Sequence, residues 1–387
     1  MAETTAPARK SIEPKSKDIT KDEKFFRAGQ WQLVWWKFRR HKLAQLAMVV
    51  LGIFYLSTLF ADFVAPYEPL HRMQTFLAMA PWKIHLVDST GQFRGPFVYG
   101  MEKGRDPVTL RPTYKEDLTK IYPVKLFIKG DKYKMWGLFE ADRHLIGVEP
   151  GEDGKIVPFF LLGTDTLGRD LLSRIIFGAR ISLTVGLIGV ALSFIFGLLL
   201  GGLSGFFGGV LDEVIMRIID VLISLPQIPL WMSLAAALPQ DWPQLRLYFF
   251  VTIILSIFGW TSLARVVRGK MLSMREEDYV MAAKLDGESE WNIITRYMLP
   301  GFASYIIVSL TISIPGMILG ETSLSFLGIG LRAPTISWGV MLQDAQNLQT
   351  VAQLPWLLWP TAFVVVAVLM FNFLGDGLRD AADPYVT

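Results

Sequence analysis

The residue types that most often carry covalent or metal chemistry are missing from the apolar half of this chain. There is no cysteine in 387 residues, which excludes a disulfide scaffold, a thiolate metal site and a cysteine nucleophile together. The four histidines, His41, His71, His85 and His144, all precede that half, so neither a buried histidine-rich metal centre nor a histidine base beside its many serines is expected there. Arg268-Gly269-Lys270-Met271 comes nearest to a phosphate-cradling G-x4-G-K-[ST] loop, but it lacks the first glycine and the hydroxyl that would hold Mg²⁺. What remains is a set of ionisable residues inside apolar stretches, which are functional candidates by default. Glu213, Arg217 and Asp220 stand four and then three residues apart, so they can neutralise one another on one helix face. Glu321 lies about 28 Å along a helix from Phe302 at 1.5 Å per residue, near the external surface, where it is an end-of-pore or capping contact. It and Trp260, which either lines a cavity or packs, are the pathway or gating candidates.

The elements that must position these residues are spans through a membrane. Apolar residues make up 52% of the chain, with 33 glycines besides, and charged residues only 19%, below the quarter or so of an ordinary soluble domain. Six stretches approach the twenty or so apolar residues that a span needs: 43–64, 181–205, 214–238, 247–267, 302–326 and 354–375. Arg217, Asp220, Pro226 and Pro229 interrupt the third. Residues 1–42 carry 11 Lys and Arg against 5 Asp and Glu, so the N-terminus is expected in the cytoplasm, and six spans return the C-terminus to that side. The 40-residue basic leader and the long apolar run favour a retained anchor over a cleaved signal peptide. A net charge of +3 gives no basic field that would point to nucleic acid.

Between the first and second spans, residues 65–161 form an external insertion of a different texture. KIYPVKLFIKG and DKYKMWGLFEAD alternate apolar and polar residues about Gly130-Asp131, which predicts a hairpin turning there. Further turns are expected at Pro150-Gly151 and Asp153-Gly154, within a β-rich module over roughly 67–160. Residues 162–180 are expected as an interfacial segment. Ahead of the first span, 25–42 places Trp31, Trp35 and Phe38 on one helix face beside Lys37, Arg39, Arg40 and Lys42, as suits a helix in the headgroup plane; a disordered tail is the alternative. Gly189, Ser193, Gly197, Gly201, Gly205 and Gly209 recur every four residues, a small-residue face for close helix packing.

Between spans four and five, EEDYVMAAKLDGESEWNIITRYMLPG reads as two short helices about Gly287, the second ending where Pro300 opens span five. By shape this is a docking element protruding from a bundle, with a plain amphipathic loop as the alternative. Met281-Ala282-Ala283, Gly287 and Leu299-Pro300 keep the spacing of E-A-A-x3-G-x9-I-x-L-P, and this resembles the signature of binding-protein-dependent ABC import permeases. Met281 replaces the usual Glu and Tyr297 the usual Ile, so an ion pair with an ATPase at position 281 is not expected. LGTDTLGRDLLSRIIFGARISL (162–183), GFFGGVLDEVIMRIIDVLISLP (205–226), ETSLSFLGIGLRAPTISWGVML (321–342) and GDGLRDAADP (375–384) are similar to the C-type permease of the dipeptide/oligopeptide class. The likeness covers 30–70 and 160–387 and leaves most of the insertion aside.

The resemblance implies an all-α membrane protein of the type I ABC importer permease fold, with six spans, a five-helix core over 181–387 and the β-rich insertion. It implies a bacterial inner-membrane subunit working with a homologous second permease, two cytoplasmic ABC ATPases that hold ATP and Mg²⁺, and a periplasmic or lipid-anchored substrate-binding protein. The chain itself then needs no cofactor, no metal and no catalytic residue. Asp278, Tyr279, Ala282, Ala283, Gly287, Leu299 and Pro300 become the candidates for coupling to an ATPase, within the loop 278–300, and Gly189, Gly197, Gly201 and Gly205 the packing face. Peptides are the implied substrates, with oligosaccharides, opines and nickel chelates as alternatives within the class. An ion-coupled secondary transporter is the competing reading, but it calls for ionisable groups near the midplane and broken helices in repeated halves.

Overall fold

The computed structural model describes residues 29–105, 107, 112–149, 157–239 and 241–382. The turns expected at Pro150-Gly151 and Asp153-Gly154, and the leader before residue 29, lie outside them. A short helix α1 (Gln30–Phe38) leads into α2 (Lys42–Leu59), which His41 caps by accepting from the Ala44 N–H at 3.2 Å. One further turn, Ala61–Val64, follows α2. After the insertion come α3 (Leu171–Phe207), α4 (Gly209–Ser224), α5 (Gln227–Ala236), α6 (Gln244–Met274), α7 (Asp278–Leu285), α8 (Glu290–Asn292), α9 (Ala303–Phe326) and α10 (Trp359–Ala382). Five helical stretches are long and apolar enough to cross a membrane, and a sixth is present if α4 and α5, bent by 90° at Leu225-Pro226, count as one. The bend falls where the sequence places Pro226, whose ring cannot continue a helix.

The glycine stripe explains how α3 and α6 lie together. A Cβ at Gly201 would stand 2.5 Å from the Ala264 carbonyl oxygen, and one at Gly205 2.6 Å from that of Arg268, so only glycine lets the two backbones meet. A Cβ at Gly197 would press on the Leu263 side chain at 2.9 Å, whereas one at Gly189 would lie 3.3 Å from Met317 of α9 and 3.5 Å from Ser256, close to ordinary contact. Ser193 and Ser256 add hydroxyl bonds across the contact, to the carbonyls of Ser256 and Gly189 at 3.2 and 3.1 Å. Gly209 departs from the stripe: α3 has ended, and Gly208 and Gly209 both take positive φ where the chain turns into α4. The main core gathers Leu183, Leu255, Ile318 and Trp338, with Leu51 from α2 and Phe371 from α10. Phe38 of α1 is buried against Ala44 and Ala381, so α1 is held to the end of α10 while Trp35 and Trp36 remain exposed.

Two expectations are corrected, one about a boundary and one about ion pairing. Helix α3 begins at Leu171, ten residues before the predicted span, because Asp170 caps it by accepting from the Ser173 N–H at 2.7 Å. Only 162–170 is left of the predicted interfacial segment, and that stretch is tightly folded. Among the described residues, Glu213 and Arg217 form no ion pair with each other or with Asp220. Asp220 reaches Arg265 at 2.5 Å on α6, and Asp212 takes both Arg268 Nε and Nη2 at 2.5 and 2.6 Å. The competing partners come from the neighbouring helix, which the spacing along α4 could not reveal.

The insertion is a four-stranded antiparallel meander, β1 (His85–Val87), β2 (Phe93–Arg105), β3 (Pro112–Met135) and β4 (Phe139–Val148), in the order 1-2-3-4. Its inner face covers Met79, Trp82, Phe159 and Phe160. The predicted hairpin exists, but it turns at Trp136-Gly137, where φ is +53° and +73°, a type I′ geometry closed by Leu138 N–H to the Met135 carbonyl at 3.0 Å. Gly130-Asp131 is instead a register shift inside β3. There the His144 ring lies where a Gly130 side chain would be, and its nitrogens reach the carbonyl oxygens of Asp131 at 3.0 Å and Ala65 at 2.7 Å. Glycine at 130 therefore serves a buried ring and not a reversal of the chain.

Candidate functional site

The loop between α6 and α9 is built to project a rigid surface. Helix α7 ends at Asp286, Gly287 takes φ +78°, and Ser289 caps α8 through the Asn292 N–H at 3.3 Å. The two short helices about a glycine turn are as the sequence predicts; the end of the second is not. From Glu290 the helical path runs without a break through a wide π turn (Ile293–Met298) and a 3₁₀ turn (Leu299–Phe302) into α9, 37 residues to Phe326. The change of turn accommodates Pro300, which has no N–H to give to a regular helix. The loop and span are thus one lever.

Its inner face is anchored. Val280 and Ala283 of α7, with Ile293, Ile294 and Met298, are buried on Phe206, Val267 and Met271. The Lys284 ammonium lies 5.5 Å from the centre of the Phe206 ring, and Arg275 donates to the Phe206 carbonyl at 3.4 Å. The outer face is free: Leu285 is 87% exposed and Trp291 61%, with Tyr279 and Met281 beside them. Nothing lies within 4 Å of a Cβ placed on Gly287. Of the candidates named from sequence, Asp278, Tyr279, Ala282, Gly287 and Pro300 face outward, Leu299 is half-buried and Ala283 is interior. Leu285 and Trp291 were not singled out, although large apolar residues in so polar a loop were a signal for them.

At the opposite end of α3 the quoted block LGTDTLGRDLLSR forms a buried polar knot whose roles the spacing did not disclose. The Asp165 carboxylate accepts from the Leu167 and Arg169 N–H groups at 2.9 Å each, from Arg169 Nε at 2.7 Å, and from Arg174 Nη1. Thr164 is bonded on three sides: its hydroxyl takes the Met79 N–H at 2.8 Å and gives to the Phe76 carbonyl at 2.6 Å, and its carbonyl takes the Trp356 indole at 2.9 Å. Ser173 gives to Asp170 at 2.6 Å and takes the Tyr67 N–H at 3.1 Å. Burial pushes the Asp170 carboxyl up to about 6 against the pull of Ser173, and burial together with Asp165 raises that of Asp344. The knot clamps the insertion and the α9–α10 connection to the head of α3.

Glu321 and Trp260 are both interior. The Glu321 carboxylate, fully buried, accepts from Ser182 of α3 at 3.0 Å and from Ser325 at 2.8 Å. The same hydroxyls take the backbone N–H groups of Trp338 and Leu331 at 3.1 Å each, so Glu321 holds the loop after α9 in place. Trp260 packs on Ile215, Ile219 and Ala264. Among the described residues no group of His, Asp and Glu could hold a metal ion.

Residues 193–387 match the family described as binding-protein-dependent transport system inner membrane component, and 29–81 match the N-terminal TM domain of oligopeptide transport permease C. The chain is 41% identical over 224 residues to the dipeptide transport system permease protein DppC of Bacillus subtilis, covering 57% of this chain and 68% of that one. It is 42% identical over 223 residues to the oligopeptide transport system permease protein OppC of Escherichia coli K12, covering 57% and 71%, and 37% over 246 residues to that of Haemophilus influenzae, covering 63% and 75%. A methionine ABC transporter solved in inward-facing conformations aligns with 55% of this chain and 97% of its own, at a TM-score of 0.43 and 16% identity, a likeness too slight to argue from. The chain, a bundle with five or six membrane-length helices, matches the first family over half its length and covers more than two thirds of relatives named DppC and OppC, and it belongs to the binding-protein-dependent ABC transport permeases, in the OppC-type branch.

Proposed function

We propose that this permease forms half of the pathway by which an ATP-driven importer moves peptides across a bacterial inner membrane, and that 278–300 is where an ATPase subunit seats. Peptides are the substrate class because the relatives above are named for dipeptides and oligopeptides. A binding protein delivers them, a homologous permease supplies the other half, and two ATPases hold ATP and Mg²⁺. The chain contributes no catalytic group of its own. Both termini are cytoplasmic and the sheet external, a reading supported by the basic leader and an even number of spans. The apolar outer face of α4, with Val214, Ile218 and Val221 exposed, is free to meet the second permease.

The observation that carries the proposal is the outer face of the coupling loop. Leu285 and Trp291 stand exposed on a segment whose other side is fixed in the core, and Gly287 lies between them with room for a partner's backbone. Closure of the ATPases on ATP would shift the loop, and because Glu290–Phe326 is continuous the shift would pass into the bundle as a rigid-body motion. Leu285→Glu tests this without touching an internal contact. Recovery of the ATPases in a detergent pull-down should fall at least tenfold, equivalent to about 1.4 kcal/mol, while insertion and pairing with the second permease persist. Gly287→Asn, which tolerates positive φ, should retain more ATPase than Gly287→Trp. Wild-type recovery and wild-type substrate-stimulated hydrolysis in both Leu285→Glu and Gly287→Trp would remove the assignment.

A further inference from the structure

Of the large apolar side chains that the insertion leaves bare, Phe93 of β2 among them, several are gathered at the tip of the β3–β4 hairpin. Leu138 is 75% exposed and Phe139 63%, with Trp136 and Phe127 about half exposed beside them. A group of exposed apolar side chains of this kind marks an interaction site. Neither the helical core nor the knot at the head of α3 uses it.

Its position relates it to the end of the first span. The Trp136 indole N–H donates to the Leu59 carbonyl at 2.8 Å, and Leu59 is the last residue of α2. Carbonyls in the last turn of a helix have no partner within it, and in hydrocarbon an unpaired one is costly, so the hairpin supplies a donor at the point where α2 needs one. The Trp136 ring lies 5.6 Å from Phe60 and the Phe127 ring 6.0 Å from Phe63, so the hairpin grips the turn that follows α2 from two sides. At the same level Arg180 donates to the Thr58 carbonyl at 3.2 Å and pairs with Asp62 at 3.4 Å, charges that belong at a membrane border. The outward face of α2 is an unbroken apolar stripe, Leu43, Leu46, Val49, Ile53, Leu56 and Leu59, every one of them exposed. Trp136 adjoins the end of that stripe through its bond to Leu59, and Leu138 and Phe139 stand beside Trp136 at the hairpin tip.

We infer that the tip of the β3–β4 hairpin is seated in the bilayer, at the boundary between headgroups and acyl chains, and pins the insertion to the membrane surface beside α2. The occupant of the patch is lipid because the patch adjoins the end of a membrane span whose outward face is an apolar stripe, and is tied to that span by the Trp136–Leu59 hydrogen bond and the Trp136–Phe60 ring contact. Its composition agrees: tryptophan at the edge with leucine and phenylalanine beyond it, and behind them Lys132, with Lys129 and Lys134 paired to Asp142 and Glu140 at 3.3 and 3.5 Å, a polar zone suited to headgroups. Such a foot would hold the sheet at a fixed height and angle over the bundle. The inference does not depend on the direction of transport or on the coupling loop.

The absence of cysteine makes the test direct. Single cysteines at Leu138 and Phe139, at Ile53 in the stripe and at Lys103 on the far end of β2 are each labelled with a fluorophore in the full chain, and the protein is reconstituted in nanodiscs. Quenching is read with lipids carrying a nitroxide near the headgroup and, separately, with aqueous iodide. Labels at Leu138→Cys and Phe139→Cys should be quenched by the shallow nitroxide at least twofold more than Lys103→Cys, and by iodide several-fold less. Iodide quenching equal to that of Lys103→Cys would place the tip in water and overturn the inference. Shielding from both quenchers, or shielding that appears only with an added binding protein, would overturn it as well by showing a protein cover. Ile53→Cys fixes the response of a lipid-facing site in the same discs.

Discussion

Asp165 neutralises two arginines at once in a site that excludes water, so the consequences of losing it are asymmetric. Asp165→Asn leaves Arg174, 4% exposed, without its carboxylate, and breaking a buried pair from one side costs about 3–5 kcal/mol. The thermal midpoint of the solubilised protein should drop by several degrees, and the double change Asp165→Leu with Arg174→Met should recover part of it. Asp170 makes a separate prediction about pH. Its carboxyl titrates at about 6 when folded but near 3.9 when unfolded, so between roughly pH 4 and 6 the unfolded state ionises first and stability falls as pH rises. Asp170→Asn keeps an acceptor for the Ser173 N–H and should flatten that slope, read as thermal midpoint against pH. Sequence disclosed little of this knot. The block from Leu162 is recognisable as a string, but the partners of Thr164 come from Met79, Phe76 and Trp356, far away along the chain, and no local periodicity encodes them. The same limit applies to Asp220, whose arginine lies on the neighbouring helix.

At the scale of elements, what could be read early was what depends on local period or on a special backbone. The spans follow from apolar length, the α3–α6 contact from glycines every four residues, and the α7 turn from Gly287, because each has its cause inside one segment. Boundaries and breaks were less legible: α3 starts at the Asp170 cap, α4 and α5 part at 90°, and the hairpin turns at Trp136-Gly137, while Gly130 makes room for the His144 ring. The α3–α6 contact leads to a sharp prediction. Gly201→Leu puts a side chain where the Ala264 backbone lies 2.5 Å from a Cβ, so it should separate the helices and abolish recovery of folded protein by size-exclusion chromatography. Gly202→Leu, whose Cβ would meet nothing within 4 Å, should be tolerated. Equal behaviour of the two variants would show that the stripe is not the packing face.

For the whole molecule, the proposed topology and energy source can each be tested. On the proposed topology, with both ends on the cytoplasmic side and the sheet outside, cysteines at Ser16 and Thr113 should react oppositely with an impermeant maleimide in intact cells, and equal labelling would refute that arrangement. On the proposed reading the energy source is ATP held on another chain, and its effect is delivered through 278–300. Uptake of a labelled peptide by vesicles containing the purified complex with its binding protein tests this most directly. The account predicts uptake that requires ATP and the ATPase subunits, is unaffected by collapsing ion gradients, and is lost in Leu285→Glu. Uptake driven by a proton or sodium gradient in vesicles without the ATPases would contradict it.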